Sequence, residues 1–134
     1  MTSTTTTTIT PLRRTGSLVL WAMQVFLAVQ FASGGVLKLI GDARMVDLFT
    51  DIGAGQWLRY LVGACEVAAA IGLLVPRLAA PAAVGLTGLM TGAVVTNLLI
   101  GISPAMPAVF LLIAGFIVHR RRAELRRLLP TRHA

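Results

Sequence analysis

The sequence predicts an all-α membrane protein: a four-transmembrane-helix bundle with a short amphipathic helix between spans one and two. Three observations predict it. First, 56% of the 134 residues are hydrophobic, only 13% are charged, and the mean hydropathy is +0.81. A soluble domain of this length cannot hide that much apolar surface, so lipid takes over part of the role of a core. Second, the apolar residues gather into runs long enough to cross a bilayer. Third, the Lys and Arg residues stand mainly at the ends of those runs. One compact domain is expected for the length.

Each element follows in order. Residues 1–15 form a Thr-rich, aperiodic tail, read as disordered and cytoplasmic. Arg13 and Arg14 precede the first span, about residues 18–40. That run is too long for a signal-peptide core and no Ala-x-Ala site follows it, so it is read as a retained helix. Between Gly41 and Gln56, Met45, Leu48, Phe49 and Ile52 recur at helical spacing, with Asp42 as N-cap and Gly53 as stop. This amphipathic segment lies on the outer surface, folds over the bundle mouth, or serves as an ordinary interfacial connector. The second span, about residues 57–75, ends at Pro76 and Arg77. The third covers about residues 78–100, and Gly101-Ile102-Ser103-Pro104 turns the chain. The fourth, about residues 104–118, is short, roughly 22 Å at 1.5 Å per residue. It thins the bilayer or borrows flanking residues. Residues 119–134 form a basic cytoplasmic tail, whose Leu125, Leu128 and Leu129 suit a helical extension along the headgroups.

Charge sets the expected orientation. Arg13, Arg14, Arg77 and the six arginines from Arg120 to Arg132 fall on one side of a four-span chain. The loop after the first span carries Asp42, Asp47 and Asp51 against Arg44. Both termini are therefore expected in the cytoplasm. The net charge of +7 fits lipid headgroups better than nucleic acid, for which the sequence holds no recognition module.

Glu66 stands alone inside the second apolar run, about nine residues or roughly 13 Å from the outer end. An ionisable group at that depth costs free energy and needs a partner or a task. Gln30 lies at similar depth on span one, Lys38 nearer its outer end, Asn97 in the outer half of span three, and Arg59 at the outer start of span two. Gln30, Gly34 and Lys38 share one helical stripe; Gly63, Glu66 and Ala70 share another. Packed together, these stripes let Glu66 bond Gln30, pair with Lys38, or do both through water, and the polar set forms a pocket open to the outer face. The same contacts can instead merely fasten two helices, contributing on the order of 1 kcal/mol. Gly88-x3-Gly92 on span three is read as packing inside the bundle. The single cysteine, Cys65, is read as a small buried apolar residue and rules out an internal disulfide or a CxxC pair. His119 and His133 are not at ligand spacing, so no metal is expected.

Two segments carry a family resemblance. Ala32 to Leu39, with Gly35, Lys38 and Leu39 at G-x-x-K-L spacing, resembles an element of DoxX and DoxX-like membrane proteins. Gly63 to Leu74, with Glu66, Gly72, Leu73 and Leu74, resembles that family's second helix, G-x-x-E-x-x-x-x-x-G-L-L. The resemblance covers about residues 18–118. It implies a four-helix protein of the bacterial inner membrane, with relatives that include a subunit of a thiosulfate:quinone oxidoreductase and membrane components of thiol-stress systems. Lys38 and Glu66 are the positions that match the family's polar motif. A redox role without a CxxC pair would need a bound quinone or a partner subunit.

Three functions compete. The first is a subunit of a redox or stress-response assembly that contacts a quinone or another apolar small molecule, joined by partner subunits or by copies of itself. In the second, Glu66 is the general acid or base of a small intramembrane isomerase, cyclase or epoxide-opening enzyme, with Lys38 or Asn97 polarising it. Here Glu66 and Lys38 are the catalytic candidates, and Gln30, Glu66, Asn97 and Arg59 the ligand-binding set. The third is a solute carrier, disfavoured by the lack of an inverted repeat.

Overall fold

The computed structural model describes the backbone of residues 11–128 and the side chains of residues 17–128. Of the disordered tail expected over residues 1–15, residues 1–10 lie outside the described residues and residues 11–15 are helical instead; the end of the basic tail, Leu129 included, also lies outside them. Six helices and no strands occur within them: α1 (Pro11–Ile40), α2 (Ala43–Ile52), α3 (Gln56–Leu74), α4 (Ala79–Leu99), α5 (Ala105–Arg120) and α6 (Arg122–Leu128).

α1 starts at Pro11 and takes in Arg13 and Arg14. Proline suits a first helical position because its missing N–H would have had no intrahelical acceptor there. α1 stops at Gly41, whose φ of 77° is left-handed, and the Asp42 N–H bonds back to the Leu37 carbonyl at 3.0 Å. α2 is the expected amphipathic helix. Asp42 caps it, its Oδ1 accepting the Arg44 N–H at 3.2 Å, and left-handed Gly53 stops it. The segment of α1 from Ser17 to Ile40, α3 and α4 are each long and apolar enough to cross a membrane. α5 is equally apolar but has only 16 residues, which reach about 24 Å against a hydrocarbon core of about 30 Å. It ends two residues beyond the expected Val118.

α1 packs along α3, α3 along α4 and α4 along α5, and contacts between α1 and α5 close the set. The helices interlock around Leu27, Phe31, Leu73, Leu86, Met90 and Ile117. The α1–α3 crossing is the tightest. A Cβ added at Gly35 would meet the Gly63 carbonyl at 2.8 Å, and one added at Gly63 would meet the Gly35 carbonyl at 3.0 Å. Only hydrogen in place of a side chain allows the two backbones to approach so closely. Outside this core, Val25, Phe26, Val29, Leu98 and Leu112 are exposed. On a helix that crosses a bilayer, such residues meet acyl chains.

Two expectations are corrected. Gly88 and Gly92 do not pack inside the bundle: both are exposed, and a Cβ at either would find nothing within 4 Å. Cys65 is not buried. It follows from the helical period, because Glu66 one position on turns inward and carries its neighbour to the outer face.

At the end opposite α2, an unexpected buried amide joins three helices. Gln24 is fully buried. Its Nε2 donates to the Leu73 carbonyl at 2.9 Å, in the last turn of α3 where carbonyls lack intrahelical donors. Its Oε1 accepts from Arg121 Nε at 2.7 Å, and Arg121 Nη1 also donates to Glu124 Oε1 at 2.7 Å. α6, the anticipated helical extension, is thereby tied to the bundle. Gln24→Leu is expected to cost about 1–3 kcal/mol by leaving the Leu73 carbonyl unsatisfied. It should also speed amide hydrogen exchange in α6. Unchanged exchange in α6 would remove Gln24 as its tether.

Candidate functional site

The sequence builds the site from the halves of the long helices nearest α2 and from the apolar face of α2. Lys38 occupies the last turn of α1, and Glu66 the middle of α3. Because the two helices run antiparallel, these residues face each other. Lys38 Nζ donates to Glu66 Oε2 at 2.9 Å, and both side chains are largely buried, 13% and 6% exposed respectively. Buried charge is tolerated when it is paired and hydrogen-bonded, and this contact supplies both. Gly34, one turn before Lys38, adds no bulk: a Cβ there would come within 3.5 Å of Glu66 Oε2. The carboxylate lies on the wall of a cavity.

The cavity has a volume of about 440 Å³, a size suited to a small molecule. Phe31, Met90 and Phe110 form its apolar walls, and Met45, Leu48 and Phe49 of α2 cover it. Phe31 and Phe110 meet edge-on in part, with ring centroids 5.4 Å apart and planes tilted by 60°. Its polar lining comes mainly from the Lys38–Glu66 pair, Gln30, Thr96 and Asn97. The face of α2 with Met45, Leu48, Phe49 and Ile52 turns into the cavity, so α2 folds over the bundle mouth.

The expected site residues separate into three groups. Lys38 and Glu66 meet directly. Gln30 and Asn97 line the cavity but neither bonds the carboxylate. Gln30 is exposed and makes no side-chain hydrogen bond among the described residues. Asn97 Nδ2 donates to the Ser103 carbonyl at 3.0 Å and ties down the α4–α5 turn. Arg59 does not line the cavity. It is buried behind Lys38, where its Nη1 donates to the Lys38 carbonyl and its Nε to Gln56 Oε1 at 2.8 Å. Its guanidinium carbon also lies 4.3 Å from the Tyr60 ring centroid. No carboxylate pairs with it among the described residues. Its anionic partner is the carbonyl end of the α1 dipole, which favours a cation there. Gln56, which links Arg59 to α2, carried no signal in the sequence. A glutamine at the start of an apolar helix looks like any interfacial polar residue. Among the described residues, no three His, Cys, Asp or Glu side chains converge as a metal site would require, so the site's charge chemistry rests in one ammonium and one carboxylate.

The model of the DoxX-like family matches residues 22–117. The chain belongs to the DoxX-like family. The match encloses Lys38, Glu66, α2 and the residues that line the cavity. No curated protein and no solved structure matches the chain. Family membership together with the three spanning helices makes this DoxX-like chain a multi-pass membrane protein.

Proposed function

We propose that this DoxX-like protein binds a small, mostly apolar molecule with a polar head beneath α2, as the ligand-contacting subunit of a redox or stress-response assembly in the bacterial inner membrane. The observation that carries this reading is the cavity of about 440 Å³ whose apolar wall is broken by one buried ion pair. Such a lining favours a ligand that buries a hydrocarbon body and presents a group able to accept from Lys38 or donate to Glu66. A quinone head fits that donor set. Its carbonyl oxygens would accept from Lys38 and the Gln30 amide, and its ring and tail would lie along Phe31, Met90 and Phe110. Bound there, a quinone would supply the electron chemistry that the side chains lack. In this reading α5 is the fourth span, shortened at its ends, and both termini are cytoplasmic, which the arginines at Arg77 and in α6 support. Direct acid–base catalysis by Glu66 has less support, since Asn97 is held by Ser103 and no second polarising group meets the carboxylate.

The test is photolabelling in lipid nanodiscs with a short-tailed ubiquinone analogue carrying a photoactivatable group. Label is expected on peptides of α1, α4 and α5 that face the cavity. Ala93→Trp, which fills it, should lower that labelling by about tenfold, the effect of losing roughly 1.4 kcal/mol of binding. Labelling spread evenly over lipid-facing residues, and indifferent to Ala93→Trp, would refute the reading.

A further inference from the structure

We infer that Gln56 and Arg59 are positioning residues that couple the cover helix α2 to the Lys38–Glu66 pair. This makes entry to the cavity depend on a hydrogen-bonded latch that touches no ligand. The inference deepens the binding reading above by assigning a regulation to the same site.

A chain of hydrogen bonds, joined at one point through the covalent frame of Lys38, carries it. Gln56 stands at the first position of α3 and has one amide to share. Its Nε2 donates to two acceptors on α2, the Val46 carbonyl at 3.2 Å and Thr50 Oγ1 at 3.1 Å. Thr50 Oγ1 in turn donates to Val46 O at 2.8 Å, which orients the hydroxyl so that its lone pairs face Gln56. On the other side, Gln56 Oε1 accepts from Arg59 Nε. Arg59 Nη1 donates to the carbonyl of Lys38, and Lys38 Nζ donates to Glu66. Both polar atoms of the Gln56 amide are thereby used, the nitrogen toward the cover and the oxygen toward buried Arg59.

The ends of α2 suit a cover that swings. It is joined to α1 through left-handed Gly41 and to α3 through Gly53 and Gly55, which have φ values of 77° and 100°. Glycine crosses such conformations with little steric cost. What holds α2 closed is then its apolar face over the cavity and the two Gln56 donor bonds. Buried Arg59, clamped to the α1 terminus, makes Gln56 a rigid anchor rather than a loose surface amide. Rotating α2 away breaks the Gln56 donors first, frees the amide, and loosens the Arg59 grip on the turn that carries Lys38.

The latch predicts a difference between two substitutions of one residue. Gln56→Ala removes both sides of the link. Gln56→Glu keeps an acceptor for Arg59 but removes both donors to α2. The experiment uses the full chain in nanodiscs with Cys65→Ser and Ala93→Cys, which places one thiol on the cavity wall, and a charged methanethiosulfonate reagent that cannot enter lipid. Both Gln56 variants are expected to raise the modification rate by about tenfold, the effect of one or two lost hydrogen bonds on the closed population. Gln56→Glu should keep the parent's thermal unfolding temperature, because Arg59 and the ion pair stay in place. A modification rate for Gln56→Glu equal to that of the parent would overturn the latch. So would a rise matched by a general loss of thermal stability, which would mark Gln56 as merely structural. The thiol assay needs no ligand. Failed quinone labelling with a normal latch response would therefore refute the binding reading alone, and normal labelling without a latch response would refute this inference alone.

Discussion

Lys38→Met is expected to destabilise the bundle by about 3 kcal/mol, the lower part of the range for stripping one partner from a buried ion pair. The loss arises less from the vanished attraction than from what remains. Glu66, 5% exposed, would keep a carboxylate facing Phe31 and Met90 across the cavity with no cation near it. The double variant Lys38→Met, Glu66→Met should recover most of the loss, because it removes both charges and leaves side chains of similar length. Unfolding by a denaturing detergent, followed by circular dichroism, measures all three proteins. A single variant as stable as the parent would show that Glu66 finds another partner or is held protonated. A double variant as damaged as the single one would show that the pair stabilises by its own attraction. Recovery of stability with loss of quinone labelling would be the mark of a pair retained for binding rather than for fastening helices.

Gly35→Ala should cost about 1–3 kcal/mol, the range for overpacking a close-fitted contact. The added methyl would lie 2.8 Å from the Gly63 carbonyl and 2.7 Å from Val67 Cγ2. Val67 can change rotamer, but the backbone oxygen can retreat only if α1 and α3 part. Gly63→Ala is expected to act alike, from the other side of the same crossing. Gly88→Ala provides the contrast. Nothing lies within 4 Å of its Cβ position, and alanine is the better helix former by about 1 kcal/mol, so this variant should be neutral or slightly stabilised. If Gly35→Ala and Gly88→Ala behave alike in the detergent titration, the close crossing is not what orders α1 against α3. Parting these helices would also draw Lys38 away from Glu66, so the variant should weaken labelling together with stability.

The long apolar helices were readable because hydropathy over some twenty residues is a strong local signal, and lipid demands it of every span. α2 was readable for a different local reason. Asp42, the spacing of Met45, Leu48, Phe49 and Ile52, and Gly53 spell out cap, face and stop within a dozen residues. The Lys38–Glu66 contact was one of several pairings the stripes allowed, and the structure selects it over Gln30. Arg59 left the cavity, and the Asn97 amide on its wall turned to the α4–α5 turn, because each met a backbone carbonyl, at the α1 terminus and at Ser103. Local pattern does not show such carbonyls, since their availability depends on where a neighbouring helix ends. Gln24 and Arg121, 97 positions apart, could not be joined by any spacing rule.

By itself, then, the chain's order of residues determined which segments are helical, which of them are apolar enough to cross lipid, and that one acid and one base lie within apolar helices, toward the end that α2 covers. Each of these depends on interactions within a turn or two, or on the solvent around a single helix. Tertiary structure alone decided that Gly35 meets Gly63, that Gln56 bridges cover and wall, and that Cys65 and Gly88 face outward. Those outcomes depend on how each helix is rotated about its axis, and rotation is set by the partner surface against which it packs.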